Sequence, residues 1–321
     1  MPRDYLSDES GLPSHVSGTV VTVGTFDGVH RGHRDVVERL VARARSLKVP
    51  SVLVTFEPHP LEIVNPAAAP LLLTTHYEKQ EVLAETGIDY LAVLPFTKKL
   101  ASYSAEDFVE LILRRCFRLR ELLIGYDHGF GRQRAGNVDV LKTLGERDGF
   151  RVEVVAPVST ADGHSVSSTS IRRAVAGGDL QRAAEALGRP YSVNGRVIEG
   201  AQRGRTIGFP TLNLGPPPKR KLLPPEGVYA VRVQTPGGPV GGMMNLGPRP
   251  TFGDTETSLE AHLFDTKGDF YGAHVRVDFV ARLRETRKFA SAELLMKQLA
   301  HDERDARTAL TLLSVPGNLN G

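Results

Sequence analysis

Two histidines stand where a β-like stretch of this chain gives way to a helical one. Residues 21–40, VTVGTFDGVHRGHRDVVERL, place His30 and His33 on either side of Gly32 in an HxGH pattern. Such a junction directs free backbone N–H groups and the positive end of a helix dipole to one spot. Glycine permits close backbone approach, and both imidazoles can donate to charge developing on phosphorus, so the pattern predicts a nucleotide-phosphate site. A surface turn and a metal pair are the alternatives, although no nearby His, Cys or acidic cluster completes metal-ligand spacing.

A second candidate lies in VSSTSIRRAV, residues 166–175. Ser168 and Thr169 offer hydroxyl and N–H groups at a predicted helix start, and Arg172 adds a forked cation one turn later. This combination suits a polyphosphate. An ordinary serine–threonine helix cap is the alternative, and the HxGH motif in the same half of the chain favours the polyphosphate interpretation.

The third candidate is GRVIEGAQRGRTIGFPTLN, residues 195–213, which is rich in glycine and arginine. Its backbone can close over phosphates, with Arg203 and Arg205 nearby. Thr211 and Asn213 present oxygens at alternate positions of an extended segment, hence on one face, which predicts a Mg²⁺ and phosphate site. A tight exposed hairpin is the alternative from these residues alone.

Glu260 lies in SLEAHLFD, where apolar and polar residues alternate. The alternation places Glu260 on the strand face opposite Leu259 and Leu263. A carboxylate there could act as a general base, and a solvated strand carboxylate is the alternative.

The elements that must position these residues differ between the two halves of the chain. Over residues 19–187, β-like runs alternate with amphipathic helical runs, which predicts a parallel sheet covered by helices, an α/β fold. Predicted strands are residues 19–25, 51–56, 90–95, 121–125 and 151–155. Predicted core faces of helices are Val36, Val37, Leu40, Val41 and Ala44, and Phe108, Leu111, Ile112 and Cys116. In open sheets of this kind, ligands collect beyond the carboxyl ends of the strands, where these motifs fall.

After about residue 189 the sequence becomes β-rich and is punctuated by glycine and proline. Residues 191–199, 227–234, 240–246, 258–264 and 273–283 are β-like, which predicts a compact antiparallel barrel. Residues 291–313 predict a terminal helix that Ser291 caps and that packs on the barrel through Leu294, Leu295, Leu299, Leu310 and Leu313. We therefore predict domains at residues 1–187 and 188–321.

Composition limits the class of protein further. The 321 residues suffice for about two domains, and no apolar run is long enough to cross a bilayer. Residues 1–16 lack a signal-peptide pattern, so we expect a cytoplasmic protein. A net charge of +3 without basic blocks gives no case for nucleic acid. Cys116 is the single cysteine, and we predict that it is a small core residue without a chemical role.

Four motifs together, GTFDGVHRGH, FEPHP, GYDHGFG and SSTSIR, resemble the nucleotidyltransferase domain of bacterial bifunctional riboflavin kinase/FAD synthetases. The resemblance implies a Rossmann-like domain that transfers AMP from ATP to FMN and releases pyrophosphate. It implies that His30 and His33 contact the ATP phosphates, that Ser168, Thr169 and Arg172 hold the pyrophosphate, and that Asp127 lies near the nucleotide. The nucleotide-binding set also includes Gly24, Phe26, Asp27 and Gly32. His128 departs from the aromatic residue expected after Asp127, which affects adenine or flavin packing there.

The second half resembles the riboflavin kinase domain of the same family through GRTIGFPTLN, GVYAVRV, MNLGPRPTFG, LEAHLFD and LRETRKF. The resemblance implies that ATP phosphorylates riboflavin here, with Glu260 as general base for the ribityl 5′-hydroxyl. Thr211 and Asn213 would hold Mg²⁺ and the phosphates, beside Gly204 and Arg205. Leu212 replaces the family's usual alanine and is expected to point away from the metal.

The expected partners are accordingly riboflavin, FMN, FAD and ATP, with no nucleic acid and no membrane. Two other functions remain open at this point. The first domain could be degenerate or serve another acceptor, as in other HxGH nucleotidyltransferases, although intact HxGH and SSTSIR motifs argue against degeneracy. The chain could instead be a flavin-binding regulator, although such a protein need not retain Thr211, Asn213 and Glu260 together.

Overall fold

A computed structural model describes residues 12–126, 137–159, 163, 165–200, 208–247, 257–266 and 268–312. The chain divides into two compact units, Met1–Ser167 and Ser168–Gly321. The predicted domain boundary after residue 187 therefore differs from this division by two helices, and it stays a prediction about which piece folds alone.

The first unit is a five-stranded parallel sheet in the order β3-β2-β1-β4-β5. Its strands are β1 (Thr19–Val23), β2 (Ser51–Glu57), β3 (Tyr90–Pro95), β4 (Leu119–Gly125) and β5 (Arg151–Val155). The strand order reverses between β1 and β4, and open α/β sheets bind ligands at the carboxyl edge of such a switch point. The loop after β1, which carries the HxGH motif, lies at this edge.

Helices flank the sheet because the central strands are apolar on both faces. They are α1 (Arg31–Leu47), α2 (Pro60–Val64), α3 (His76–Ala84), α4 (Lys98–Ala101), α5 (Ala105–Asp107) and α6 (Val138–Asp148), with a short 3₁₀ turn at Pro66–Ala68. The buried residues of α1 are the predicted ones, Val36, Val37, Leu40, Val41 and Ala44. Val37 and Val41 pack with Val82 and Leu83 of α3 against one face of the sheet.

The second predicted core stripe is confirmed at Phe108, which is buried, and at Ile112, which packs against the core, and it was wrong at Cys116. Residues Phe108–Arg114 form a π-helix, whose wider turn shifts the buried positions away from the 3.6-residue spacing. Phe108, Val109, Leu113 and Phe117 are the buried residues of this segment. Cys116 is exposed, and its thiol donates to the carbonyl of Leu111 at 3.3 Å.

The second unit is a closed barrel in the order β10-β7-β6-β11-β8-β9, preceded and followed by helices. Its elements are α7 (Ser168–Ala176), α8 (Leu180–Leu187), β6 (Tyr191–Ile198), β7 (Leu212–Leu214), β8 (Gly227–Thr235), β9 (Gly238–Gly247), β10 (Ser258–Leu263), β11 (His274–Arg284) and α9 (Ala292–Leu312). The predicted antiparallel barrel is confirmed, and the predicted extended segment around Asn213 forms the three-residue strand β7.

The terminal helix α9 packs on the outside of the barrel. Ala306 and Leu310 contact Ala230, Met243 and Phe264. Of the predicted stripe, Leu310 is buried, Leu299 packs beside it, and Leu294 is exposed, so the stripe was wrong at its first position. Leu313 lies outside the described residues. A polar contact adds to this interface, because buried Asp302 accepts hydrogen bonds from Arg284 of β11.

Candidate functional sites

His30 ends the loop after β1 and caps helix α1. Its Nδ1 accepts the backbone N–H of His33 at 3.3 Å, which satisfies one free donor of the first helical turn. Because Nδ1 is the acceptor, the neutral ring carries its proton on Nε2. The strand-to-helix junction that the sequence predicted is therefore present, and His30 takes part in its backbone geometry.

The two imidazoles stack on each other. The His30 and His33 ring centroids are 3.6 Å apart with an interplanar angle of 15°, and the Phe26 ring lies 5.0 Å from His33. A Cβ on Gly32 would lie 3.3 Å from the His30 ring, and one on Gly24 would lie 3.1 Å from the Phe26 ring. Both glycines therefore make room for the ring cluster, a packing role beside the nucleotide contact predicted for them.

Asp27 holds the loop in its shape. Its buried carboxylate accepts from the backbone N–H groups of Leu73 and Thr74 at 3.1 and 3.0 Å. The neighbouring residues Phe26 and Val29 have φ values of 47° and 40°, a left-handed conformation that tertiary contacts must stabilise. These contacts hold the loop, and the nucleotide contact predicted for Asp27 stays a prediction.

The surroundings of His33 disfavour a positive charge on its ring. Burial lowers the pKa of His33 well below its usual value, and His30 and Lys79 lower it further. The Nδ1 atom of His33 is buried and has no hydrogen-bond partner within the described part of the chain. The ring is therefore neutral at neutral pH and retains an unused polar atom.

Lys79 is a neighbour of this pair that the sequence analysis missed. Its side chain is 6 % exposed, and Nζ donates to the Thr25 carbonyl and the Thr55 hydroxyl, each at 3.2 Å. Only the TxxE capping box just before it, Thr75 to Glu78, was visible in the sequence, and that motif marks a helix start without showing what the next residue contacts.

The serine-rich motif begins α7 at Ser168, as predicted. Thr169 is exposed, whereas Ser168 and Arg172 are half-buried. Within the first unit, a Cβ on Gly32 would lie 4.0 Å from the carbonyl oxygen of Val166. The chain thus passes beside the HxGH turn two residues before Ser168. Asp127 and His128 lie outside the described residues.

In the barrel, strand register aligns three polar residues. Glu260 of β10 pairs with Asn213 of β7 on one side and with Asn245 of β9 on the other. Directly paired residues of antiparallel strands project from the same face, with Cβ atoms about 5 Å apart. Leu259, Ala261 and Leu263 are buried on the opposite face, as the alternation predicted. Asn245 is a further candidate that no local pattern revealed.

The segment around β7 is held closely against its neighbours. A Cβ on Gly200 would lie 2.1 Å from the Asn213 amide nitrogen, so only glycine leaves room for this side chain. His262 Nδ1 lies 2.7 Å from the Pro210 carbonyl. Leu212 is buried and pairs with Ala261, on the face opposite Asn213. Thr211 is half-buried just before β7, and Arg203, Gly204 and Arg205 lie outside the described residues.

The described residues contain no group of three or more His, Cys, Asp or Glu side chains that could hold a metal ion. No helix among them is both long enough and apolar enough to span a membrane.

Comparison with known proteins accounts for both units. A family model described as FAD synthetase matches residues 12–170, and one described as riboflavin kinase matches residues 187–310. A Pseudomonas fluorescens bifunctional riboflavin kinase/FMN adenylyltransferase is 41% identical over 92% of this chain and 94% of its own length. The Escherichia coli K12 enzyme of the same description is 39% identical over 90% and 92%.

A solved structure is also similar over nearly the whole chain. It is a crystal structure from Streptococcus pneumoniae, described as a macrolide-efflux protein, with a TM-score of 0.81 and 32% identity over 96% of this chain and 98% of that one. The order of the two family models agrees with an HxGH turn in the first unit and with the aligned Asn213, Glu260 and Asn245 in the barrel. The relatives' identity extends over most of their length. The chain therefore belongs to the family of bifunctional riboflavin kinase/FMN adenylyltransferases.

Proposed function

We propose that His30 and His33 carry out the adenylyl transfer of this family, in which FMN and ATP give FAD and pyrophosphate. The observation that carries the proposal is the stacked imidazole pair at the start of α1. An FMN phosphate oxygen attacks the α-phosphorus of ATP, and the bond from that phosphorus to the bridging oxygen breaks as pyrophosphate leaves. The nucleophile is already ionised at neutral pH, so alignment and charge stabilisation suffice without a strong base.

Within this proposal the two histidines have different roles. His30 caps α1 through Nδ1, and we assign its Nε2–H the role of donor to a phosphate oxygen when ATP is bound. His33 is neutral before ATP binds because burial and two neighbours lower its pKa. The arriving triphosphate raises that pKa by its negative charge, so His33 donates most strongly to the ATP-bound state.

We assign the departing pyrophosphate to Ser168, Thr169 and Arg172. Thr169 and its neighbours supply hydroxyl and N–H donors in the first turn of α7, and the Arg172 guanidinium can bind two phosphate oxygens at once. Asp127, which lies outside the described residues, is proposed to be near the nucleotide.

For the kinase reaction, we propose Glu260 as the general base that takes the proton from the ribityl 5′-hydroxyl. The oxygen then attacks the γ-phosphorus of ATP, and ADP leaves. A primary alcohol benefits from such a base, unlike the phosphate nucleophile of the other site. The register that sets Glu260 beside buried Asn213 supports this assignment.

The family's reactions use ATP, and we propose Mg²⁺ as the accompanying ion at Thr211 and Asn213. A hydroxyl and an amide oxygen suit this hard cation, which keeps several waters and completes its shell with phosphate oxygens. When bound, Mg²⁺ neutralises charge on the transferred phosphate. We expect Gly204 and Arg205 to contact the same phosphates.

The test separates the two reactions on one preparation. Purified protein is incubated with riboflavin, ATP and Mg²⁺, and then with FMN, ATP and Mg²⁺, and the flavins are separated by chromatography. FMN followed by FAD is the expected result. Flavin binding without turnover would support the regulator instead, and FMN without FAD would indicate another acceptor for the first domain.

We further propose a cytoplasmic location, which cell fractionation tests.

A further inference from the structure

Lys79 is buried at the carboxyl edge of the parallel sheet, beside the HxGH turn. Its ammonium donates to the Thr25 carbonyl in the loop after β1 and to the Thr55 hydroxyl of β2. The Thr55 hydroxyl in turn donates to the same Thr25 carbonyl at 3.1 Å. The three groups form a closed hydrogen-bonded cluster that joins α3, the loop and β2.

Burying a lysine side chain costs free energy, because the charged form loses its hydration. Burial lowers the pKa of Lys79, while the carboxylates of Glu57 and Asp27 oppose that shift. An apolar side chain would fill the same volume without this cost. The lysine therefore contributes something that an apolar residue would not, namely directed hydrogen bonds and a positive charge.

Thr25, whose carbonyl accepts the hydrogen bond from Lys79, lies just before the HxGH turn in the chain. Thr25 precedes Phe26, which has a left-handed φ of 47° and whose ring lies 5.0 Å from that of His33. Asp27 fixes the following part of the loop through Leu73 and Thr74. Lys79 and Asp27 thus hold the two sides of one strained loop. That loop carries Phe26, whose ring lies beside the His33 ring.

We propose that Lys79 is a positioning residue for adenylyl transfer: by joining the loop after β1 to β2 it holds Phe26 and His33 in the geometry the reaction needs. The inference rests on the proposed role of His33. A displacement of about 1 Å in a positioned group can reduce a rate by about 100-fold, so loss of this anchor has a measurable effect on turnover.

Three variants test the proposal in the full-length chain. Lys79→Met removes the charge and both hydrogen bonds, Lys79→Arg keeps a cation with donors, and Thr55→Val removes one bonded partner. For each, kcat and KM for ATP are measured in FAD formation from FMN, with FMN formation from riboflavin as the internal reference. Circular dichroism and thermal unfolding report the folded fraction, and NMR of the His33 ring reports its pKa.

We expect Lys79→Met to lower kcat for FAD formation by about 10- to 100-fold per folded molecule, with riboflavin phosphorylation unchanged. Loss of the nearby positive charge should also raise the pKa of His33 toward its usual value. Lys79→Arg should recover part of kcat, and Thr55→Val should show a smaller loss of the same kind.

A folded Lys79→Met protein with normal kcat and KM overturns the proposal, as does a loss that only follows the unfolded fraction. If Lys79→Met does not fold, unchanged kcat in both Lys79→Arg and Thr55→Val overturns it. His33→Ala is measured in parallel. Normal FAD formation by His33→Ala would refute the role of His33 itself, whereas an impaired His33→Ala beside a normal Lys79→Met would refute only the role of Lys79.

Discussion

At the scale of single residues, His33 combines a packed ring with an unused polar atom. His30 stacks on one side of it, the Phe26 ring lies near, and its Nδ1 is buried without a partner among the described residues. A buried polar atom that lacks a hydrogen bond costs stability, and we propose that bound substrate supplies the missing partner. This state matches a residue whose strongest interaction is made with substrate.

We predict that His33→Ala reduces FAD formation from FMN by about 10²–10³-fold, the usual cost of removing one preorganised donor. Riboflavin phosphorylation should continue at its normal rate because its site belongs to the other domain. Exposed His15→Ala is the matched control and should change neither reaction. Equal damage to both activities by His33→Ala would count against the assignment of the first domain.

The second prediction at this scale concerns Glu260. Glu260→Gln keeps the size and hydrogen-bonding capacity of the side chain but removes the base, so FMN formation should fall by about 10²–10⁴-fold while ATP binding persists. FAD formation from added FMN should stay near normal. Both rates are measured on one preparation, and near-normal phosphorylation would make Glu260 an ordinary strand residue.

At the scale of elements, the position of Asn213 in β7 depends on Gly200, which lies just after the end of β6. Gly200→Ala would place a Cβ 2.1 Å from the Asn213 amide nitrogen and 2.4 Å from its Cγ, so Asn213 must move. We predict a loss of FMN formation of about 10-fold or more, since Asn213, our proposed ligand for the metal and the phosphates, would no longer be aligned. Gly237→Ala, whose Cβ would find its nearest neighbour 3.7 Å away, is the control. Unchanged kinase activity in Gly200→Ala would show that the position of Asn213 is unimportant.

The docking of α9 depends on a buried ion pair as well as on apolar contacts. Asp302 is 1 % exposed and accepts from Arg284 at 2.7 to 3.0 Å and from Gln298 at 2.7 Å. Asp302→Ala leaves Arg284 half-buried without its partner, and we expect a cost of about 3 kcal/mol. Urea unfolding followed by loss of kinase activity measures it.

The control for this pair lies on the exposed side of the same helix. Asp305 pairs with His301 at 3.3 Å, with side chains 48% and 56% exposed, and exposed pairs contribute little. Asp305→Ala should therefore leave the urea midpoint almost unchanged. Equal midpoints for Asp302→Ala and Asp305→Ala would refute the importance of the buried pair.

At the scale of the whole molecule, we predict that the kinase half folds and works alone. The fragment 188–321 should make FMN from riboflavin, because the barrel and α9 have their own core. The fragment 168–321 should make FMN too and should unfold at a higher temperature, since α8 packs against β6 and β11 and buries Leu180, Ala183, Ala186 and Leu187.

Circular dichroism and the riboflavin kinase assay are applied to both fragments. If both are folded and neither forms FMN, the kinase site depends on the first domain and the prediction is wrong. If only the longer fragment is active, α8 belongs to the functional kinase unit, and the domain boundary lies before it.

The sequence by itself determined the features that depend on short stretches of chain. The HxGH turn, the start of α7 at Ser168 and the inward face of α1 follow from glycine, capping residues and a 3.6-residue period. The two-residue alternation around Glu260 likewise indicates which face of the strand Glu260 occupies, without reference to the partner strands. Such patterns are local, so each segment carries its own evidence.

The tertiary structure decided what depends on distant segments. Lys79 is buried because β1 and β2 supply its partners, and Asn245 joins Glu260 through strand register, which no local spacing specifies. Cys116 became exposed because a π-helix changed the period of its segment, and Asp302 is buried because Arg284 of β11 meets it. For Lys79, Asn245 and Asp302 the free energy comes from contacts between residues far apart in sequence, and a single segment does not encode which partner it will meet.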